Sequence, residues 1–301
     1  MTGRPIARRS RAPLPGRRTR PVRRASAGLS AIRAGAALAL LASVAGIYGV
    51  GTSSAFDYKH LQVDGVHFTD ENAVEAAISV ARGENLFRLE TGPLVAALQS
   101  LPTVRTARVD VRLPGTLAVT IGEREPVLIW QAGDHRFLVD GQGTLFAQLP
   151  AKPPAEAARL PVIDDRRSAS SPAAVGERMD AVDGLAVGGR LDPVDLDAAT
   201  RLASLVPADV GSSAVSLSVS VTDENGFVVE TRPGSWSAVF GFYTPSLRTT
   251  EMIPGQVRLL RSLLSGRESL VDRVILASES DGTYTPRTTP SAASPKPSKA
   301  P

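Results

Sequence analysis

The chain has 301 residues, enough for one or two domains with hydrophobic cores. Its 34 basic residues include ten arginines within residues 1–33, where no acid occurs, so the other 24 stand against all 30 acids and the remainder is net negative. A basic fold that binds nucleic acid is therefore not indicated, and no nucleic-acid partner is predicted. The absence of cysteine excludes disulfides and thiolate metal sites.

The first predicted element is a transmembrane helix over residues 34–56, which carry no charge. At about 1.5 Å per residue this run spans about 34 Å, more than the roughly 30 Å hydrocarbon core of a bilayer. The arginines place residues 1–33 in the cytoplasm as a disordered basic arm, whose charge also suits anionic lipid headgroups. Two alternatives are a buried helix of a soluble protein and a cleaved signal peptide, although a signal peptide has a shorter charged region and a shorter apolar run.

Residues 57–126 are predicted to form a β-α-α-β-β unit. A strand at His60–Val66 comes first, and two helices with apolar stripes follow. Their start and stop signals are Thr69, Arg82-Gly83, Thr91 and Pro102. The apolar period then changes to two around Val109 and Val111, and again after the turn at Pro114-Gly115. This pattern predicts a sheet with one polar face and with both helices on the other face.

Residues 127–278 are predicted to form a β-rich domain with a mostly antiparallel sheet and two or more helices. Alternating or apolar runs indicate strands at Val127–Trp130, Phe137–Val139, Leu145–Ala147, Leu160–Ile163, Val215–Val221, Phe227–Thr231, Trp236–Phe240 and Arg273–Ala277. Helices are expected from Asp192-Pro193 and over about residues 255–265. The Ser, Thr, Pro and Lys content of residues 279–301 predicts a disordered tail. The fold class of the chain is thus α+β.

Catalytic, cofactor and metal sites are not predicted, so the chain is not expected to be an enzyme. The histidines His60, His67 and His135 lack the spacing of metal ligands. Glu123 and Glu125 could form a carboxylate pair, but Pro126 ends the strand that would align them. Asp164-Asp165 lies beside Arg166-Arg167, which favours a solvated turn. Nucleophile-elbow, P-loop and dinucleotide-binding motifs are absent from the sequence.

The β-α-α-β-β unit resembles a POTRA domain, and residues 57–163 resemble the bacterial division proteins called FtsQ or DivIB. The motifs that carry the resemblance are Gly65 after the first strand, "GENLF" at Gly83–Phe87, "LPTV" at Leu101–Val104, "LPGTL" at Leu113–Leu117, "EREPV" at Glu123–Val127, the "VDGQGTLF" hairpin and "LPVI" at Leu160–Ile163. The order of arm, membrane helix, POTRA domain and β domain also agrees. The helix near residues 255–265 departs from the family at Gln256, where the family usually has Lys, and the segment before it, Tyr243–Pro254, looks like an insertion. The last strand departs as well, since the family often reads Ile-Asp-Leu-Arg where this chain has Val274-Ile275-Leu276-Ala277.

The resemblance implies a non-catalytic scaffold of the divisome, in a single-pass type II arrangement in the bacterial cell membrane and enriched at the division septum. Its implied partners outside the membrane are FtsB/DivIC-like and FtsL-like proteins, through which it would help to recruit and regulate the septal synthase pair FtsW and FtsI. The implied mechanism is strand addition at an open sheet edge. The candidate partner-binding residues are Arg273, Val274, Ile275, Leu276 and Ala277.

Two other classes of protein fit the sequence less well. A membrane-anchored enzyme that modifies the cell wall would need a catalytic constellation that the sequence does not offer. A POTRA-containing transport or assembly factor usually continues into a large β-barrel, and too few residues follow here. The POTRA sheet itself is a second surface to which a partner strand could add.

Overall fold

The computed structural model describes residues 31–80, 82–150, 153–154, 157–167 and 185–287. The chain divides after Ser53 into two units, which are described separately. The first contains helix α1 (Ala31–Thr52), which is long and apolar enough to cross a membrane. It begins three residues before the predicted segment, includes Arg33, and ends before the 3₁₀ turn Ser54–Phe56. The predicted disorder of the arm falls on residues outside the described ranges, apart from 31–33.

The second unit begins with the predicted β-α-α-β-β arrangement, which is confirmed. Its elements are β1 (His60–Asp64), α2 (Glu71–Ile78), α3 (Thr91–Gln99), β2 (Val104–Arg112) and β3 (Thr116–Glu123). The strand order is β1-β3-β2, with β1 parallel and β2 antiparallel to β3. Both helices cover one face of this sheet, and the buried side chains between them and the strands include Val74, Ile78, Leu98, Leu117 and Val119. The other face is polar, as the alternation predicts.

The ends of α2 and α3 differ from the predicted ones. Asp70 caps α2 by accepting from the Asn72 amide at 3.0 Å, whereas the Thr69 hydroxyl is bonded to Thr103. Helix α2 ends at Ile78, where Ser79 takes a left-handed conformation, so Arg82-Gly83 lies beyond it. The predicted caps are therefore wrong by one residue or more: Asp70 takes the place of Thr69, and Thr91 is the first residue of α3 after Glu90.

A nine-stranded sheet forms the rest of the second unit. Its strands are β4 (Pro126–Ala132), β5 (His135–Asp140), β6 (Leu145–Gln148), β7 (Val162–Asp165), β8 (Ser216–Thr222), β9 (Gly226–Arg232), β10 (Ser237–Gly241), β11 (Val271–Leu276) and β12 (Gly282–Pro286). They lie in the order β12-β11-β10-β9-β8-β7-β4-β5-β6. Five of the eight strand pairs are antiparallel, and β10–β11, β7–β8 and β4–β7 are parallel. The prediction of a mostly antiparallel sheet is confirmed.

Helices α4 (Pro193–Ala203) and α5 (Ile253–Leu264) lie on one face of the large sheet. The core between them is apolar and includes the buried residues Trp130, Leu202, Phe240, Leu260 and Val274. The opposite face is covered near β4, β5 and β6 by a smaller cluster around Leu138, Phe146 and Leu149. As predicted, Asp192 caps α4, accepting from the Val194 amide at 2.7 Å.

The "EREPV" motif joins the three-stranded sheet to the nine-stranded one. The Glu123 carboxylate accepts from the Phe68 and Thr69 amides of the β1–α2 loop at 2.7–2.9 Å. Next to it, Arg124 forms an ion pair with Asp140 of β5 at 2.6 Å. These charge-assisted bonds hold the pKa values of Glu123 and Asp140 below their usual range, although burial acts in the opposite direction. Glu123, considered above as one member of a carboxylate pair, is thus occupied by main-chain amides, and the Arg124–Asp140 ion pair links the two sheets.

Candidate binding edge of the large sheet

The five candidate residues lie on and just after β11. The prediction that this strand is the open edge of the sheet is wrong, because β12 pairs with it antiparallel from Val271↔Pro286 to Leu276↔Gly282. The tail predicted to be disordered from residue 279 therefore contains a strand, and residues 288–301 lie outside the described ranges. Strand β11 is an inner strand between β10 and β12.

A tight turn returns the chain from β11 to β12. The amides of Ala277 and Ser278 donate to the carbonyl oxygen of Asp281 at 2.9 and 3.0 Å. The Ser278 hydroxyl accepts from the Asp281 amide at 3.0 Å. Asp281-Gly282 is a dipeptide typical of hairpin turns, and it is the one sequence signal that could have located this hairpin.

The outer side of β12 presents its own row of main-chain groups. The Asp281 carbonyl and the Arg287 amide both bond to the strand side occupied by β11. Because successive residues of a strand alternate in the direction of these groups, Thr283 and Thr285 also face β11, while Gly282 and Tyr284 face away. Pro286 would be the next outward-facing residue, but it has no N–H to donate, so the outward N–H groups of β12 are those of Gly282 and Tyr284. In the part of the chain that the structure describes, β12 is paired only with β11.

The far end of β12 is held by Arg287. Its amide donates to the Leu270 carbonyl at 2.7 Å, and its guanidinium donates to the carbonyls of Ser235 and Val271. The strand is therefore fixed at both ends, by the turn at Asp281 and by this arginine. A fixed strand offers a preorganised edge, so that its own ordering entropy does not oppose binding.

Apolar side chains flank this edge on the face that carries α5. Tyr284 pairs with Val274, whose side chain is in the core, and is 42% exposed. Leu270, just before β11, is 63% exposed. Leu259 of α5 lies beside Gly282, with its Cδ2 atom 3.1 Å from where a Cβ would stand. On the opposite face Ile275, one of the five candidate residues, is 43% exposed. A strand added beside β12 would find apolar contacts for side chains on either face.

Gln256 and Arg248 bond to carbonyl groups at the ends of the parallel strands β10 and β11. Gln256 is fully buried and donates to the Leu276 carbonyl at 3.2 Å, while its Oε1 accepts from the Tyr243 hydroxyl at 2.7 Å. Arg248 donates to the carbonyls of Phe240 and Leu276 at 2.5 and 2.6 Å. Burial raises the pKa of Tyr243, which keeps its hydroxyl a donor. Tyr243–Pro254, predicted to be an insertion, thus supplies part of the support beneath β11.

Glu268 supports the same end of the sheet from the segment before β11. Its carboxylate accepts from the Ser212 hydroxyl, the Ser213 amide at 3.0 Å and the Trp236 indole at 3.0 Å. Burial favours the neutral acid, but these donors outweigh it and lower the pKa of Glu268 to about 2. Nothing in the sequence distinguished this glutamate, because its partners are 32 to 56 residues away.

The Asp164–Arg167 segment also differs from its prediction as a solvated turn. Asp165 lies on β7 and is buried, and it forms an ion pair with Arg167 at 2.7 Å and accepts from the Trp130 indole at 3.0 Å. Arg167 pairs in addition with Asp195 at 2.8 Å. The cluster is buried because β7 is an inner strand. Among the described residues, no group of three or more His, Asp or Glu side chains could hold a metal ion.

Comparison with known proteins agrees with this architecture. Residues 56–124 match the family described as "POTRA domain, FtsQ-type". The chain is similar to three proteins named "Cell division protein FtsQ". They come from Chloroflexus aggregans (31% identity over 46% of this chain and 49% of the relative), Mycobacteroides abscessus (35%, 30% and 29%) and Chloroflexus aurantiacus (30%, 50% and 54%). The chain spans about half the length, or less, of these curated relatives.

Proposed function

We infer that the chain belongs to the FtsQ/DivIB family of cell division proteins, and we propose that it is a non-catalytic scaffold of the division machinery that binds its partners by strand addition at β12. The observation that carries the proposal is the unpaired outer side of β12, at the end of a sheet that follows an FtsQ-type POTRA domain. Helix α1 supports anchoring in the membrane. The scaffold would thus hold its binding edge outside the membrane, with the arginine-rich arm on the cytoplasmic side.

The partner segment at this edge would be an extended stretch of an FtsB/DivIC-like protein, itself associated with an FtsL-like protein. Main-chain bonds to Gly282 and Tyr284 would supply affinity, and the apolar side chains beside the edge would supply specificity. The candidate residues Arg273–Ala277 remain part of the proposed surface, one strand further in. Of these, Ile275 is the one whose side chain is exposed on a face of the sheet.

The proposed biological role follows from such a complex at the septum. By binding the FtsB/DivIC-like and FtsL-like partners, the protein would help to recruit and regulate the FtsW/FtsI pair. It would not itself catalyse a step of peptidoglycan synthesis. Enrichment at mid-cell and filaments or unseparated chains after depletion are the expected cellular results. An even distribution in the membrane with normal division after depletion would argue against this role.

The binding experiment uses the full chain in detergent and the purified FtsB/DivIC-like partner from the same cell. Tyr284→Pro removes an outward-facing N–H and leaves the β11 side of the ladder intact. The residue before a proline favours extended backbone, which Thr283 already has as a strand residue. We expect at least a tenfold loss of affinity in a pulldown or by calorimetry.

Two matched variants separate strand addition from other effects. Tyr284→Val keeps the N–H and should retain most of the affinity. Gln148→Pro makes the same change on β6, at the other end of the sheet, where Gln148 also faces outward because the next amide, of Leu149, donates to the Arg136 carbonyl at 2.8 Å. It should leave affinity unchanged. Equal binding by Tyr284→Pro and the unmodified chain would overturn strand addition at β12.

A further inference from the structure

The outer side of β2 is a second open edge. This nine-residue strand lies at the end of the three-stranded sheet, and in the described part of the chain it pairs only with β3. Such an edge is a template for another strand. It is longer than β12, which has five residues, and longer than a typical strand. What could pair with it is decided by the side chains that a partner strand would meet.

Those side chains have a self-complementary order. On the polar face, Arg108 and Asp110 are exposed, with side chains 76% and 43% accessible, and they pair with each other at 2.8 Å. On the face that carries the helices, Ala107, Val109 and Val111 pack against the core. Reversing this strand about Val109 places Arg108 opposite Asp110, Ala107 opposite Val111, and Arg112 opposite the uncharged Thr106.

Other registers are poorer. When a strand pairs antiparallel with a copy of itself, the two copies are related by a two-fold axis. The helices of both copies lie on the same face of the joint sheet only if this axis passes at a residue and not between two residues. Centring on Arg108 or Asp110 places that charge opposite its own copy, which is destabilising. Centring on Val111 pairs Asp110 with Arg112 but overlaps only three strand residues. Centring on Ala107 overlaps seven residues but pairs Arg108 with Thr106 and Asp110 with Val104, so it forms no opposite-charge pair. Centring on Val109 overlaps seven residues, from Thr106 to Arg112, with two opposite-charge pairs and no like-charge pair.

We propose that two copies of this chain associate through β2, in antiparallel register about Val109, to form a continuous six-stranded sheet. Arg108 of each copy then lies opposite Asp110 of the other, and Val109 meets its counterpart on the axis. The interface is small, so association is favoured when copies share one membrane and their local concentration is high. This proposal goes beyond partner binding at β12 and does not depend on it.

Site-directed crosslinking of the full chain in liposomes tests the register, because the chain has no cysteine of its own. Val109→Cys should give a disulfide-linked dimer on oxidation. Val111→Cys, on the same strand and face, should give at least tenfold less, because the two copies of that residue would be four positions apart. A mixture of Thr106→Cys and Arg112→Cys chains is a second reporter that leaves the buried Val109 unchanged.

Charge reversal tests the pairing itself. In the Val109→Cys background, Arg108→Asp or Asp110→Arg alone should lower the dimer yield at least fivefold. Mixing these two variants restores opposite charges at both positions and should restore the yield. Tyr284→Pro should not alter it. Equal crosslinking at residues 109 and 111, or a mixture no better than either single variant, would overturn the proposal, and so would capture of a different protein's strand in place of the second copy.

Discussion

The two ends of the nine-stranded sheet are finished differently. At the β6 end, the chain covers its own edge: the Leu145 amide donates to the Gly189 carbonyl at 2.9 Å, and the Gly188 amide donates back to Leu145 at 2.8 Å. At the β12 end, the described chain leaves Gly282 and Tyr284 facing outward. The β6 edge is thus covered where it begins, at Leu145, and we call this the closed end, although Gln148 still faces outward. The outward groups of β12 lie on a strand that is fixed at both ends, so this end of the sheet is better suited to receive a strand.

The largest expected difference between the ends concerns stability. Phe146→Ala at the closed end removes a fully buried ring that packs on Phe68 at a centroid distance of 5.7 Å. We expect a loss of about 3–5 kcal/mol in the free energy of unfolding. Leu270→Ala at the open end removes an exposed side chain and should cost less than about 1 kcal/mol. Urea unfolding of the full chain in detergent measures both values, and similar losses would remove the distinction between the ends.

The covering segment at the closed end depends on Gly188, whose φ of +93° is unfavourable for other residues. We expect Gly188→Ala to destabilise the protein by about 1–3 kcal/mol through backbone strain. Gly234→Ala is the matched control, since Gly234 lacks a positive φ and a Cβ there meets no atom within 4 Å. If the two variants unfold at the same urea concentration, the covering segment contributes no stability.

The support beneath the open end should depend on pH. The folded-state pKa of Glu268 is lowered from 4.5 to about 2, so the carboxylate stabilises the fold above pH 4.5 and this contribution is lost as the pH falls toward 2. Because the group is only partly buried, we expect Glu268→Gln to cost about 1–2 kcal/mol at neutral pH. The difference in unfolding free energy between the unmodified chain and Glu268→Gln should become smaller below pH 4.5. A difference that does not change with pH would contradict this role of Glu268.

The smallest expected effect concerns Ile275, on the inner strand of the open end. Ile275→Asp places a charge on an exposed face and not in the outward ladder, so we expect about a threefold loss of partner affinity, well below that of Tyr284→Pro. Calorimetry with the partner compares the two variants. If Ile275→Asp loses as much partner affinity as Tyr284→Pro, the partner binds the face of β11 and not the edge of β12.

Much of the fold could be predicted because local signals agreed with tertiary structure. The alternation around Val109 and the Asp192 cap were sufficient to locate β2 and α4. The edge of the large sheet could not be predicted, because the Ser, Thr and Pro content around β12 indicates disorder and outweighs the hairpin signal at Asp281-Gly282. The buried pair of Asp165 and Arg167 was missed because burial depends on the strand order, which single-sequence periodicity does not contain.

Residue-resolved amide hydrogen exchange, on the full chain in nanodiscs with and without the FtsB/DivIC-like partner, tests binding at β12 most directly. The amides of Thr283 and Thr285 face β11 and should be protected in both states, while those of Gly282 and Tyr284 should be unprotected alone and become protected on binding. Binding that leaves the exchange of Gly282 and Tyr284 unchanged would contradict strand addition at this edge.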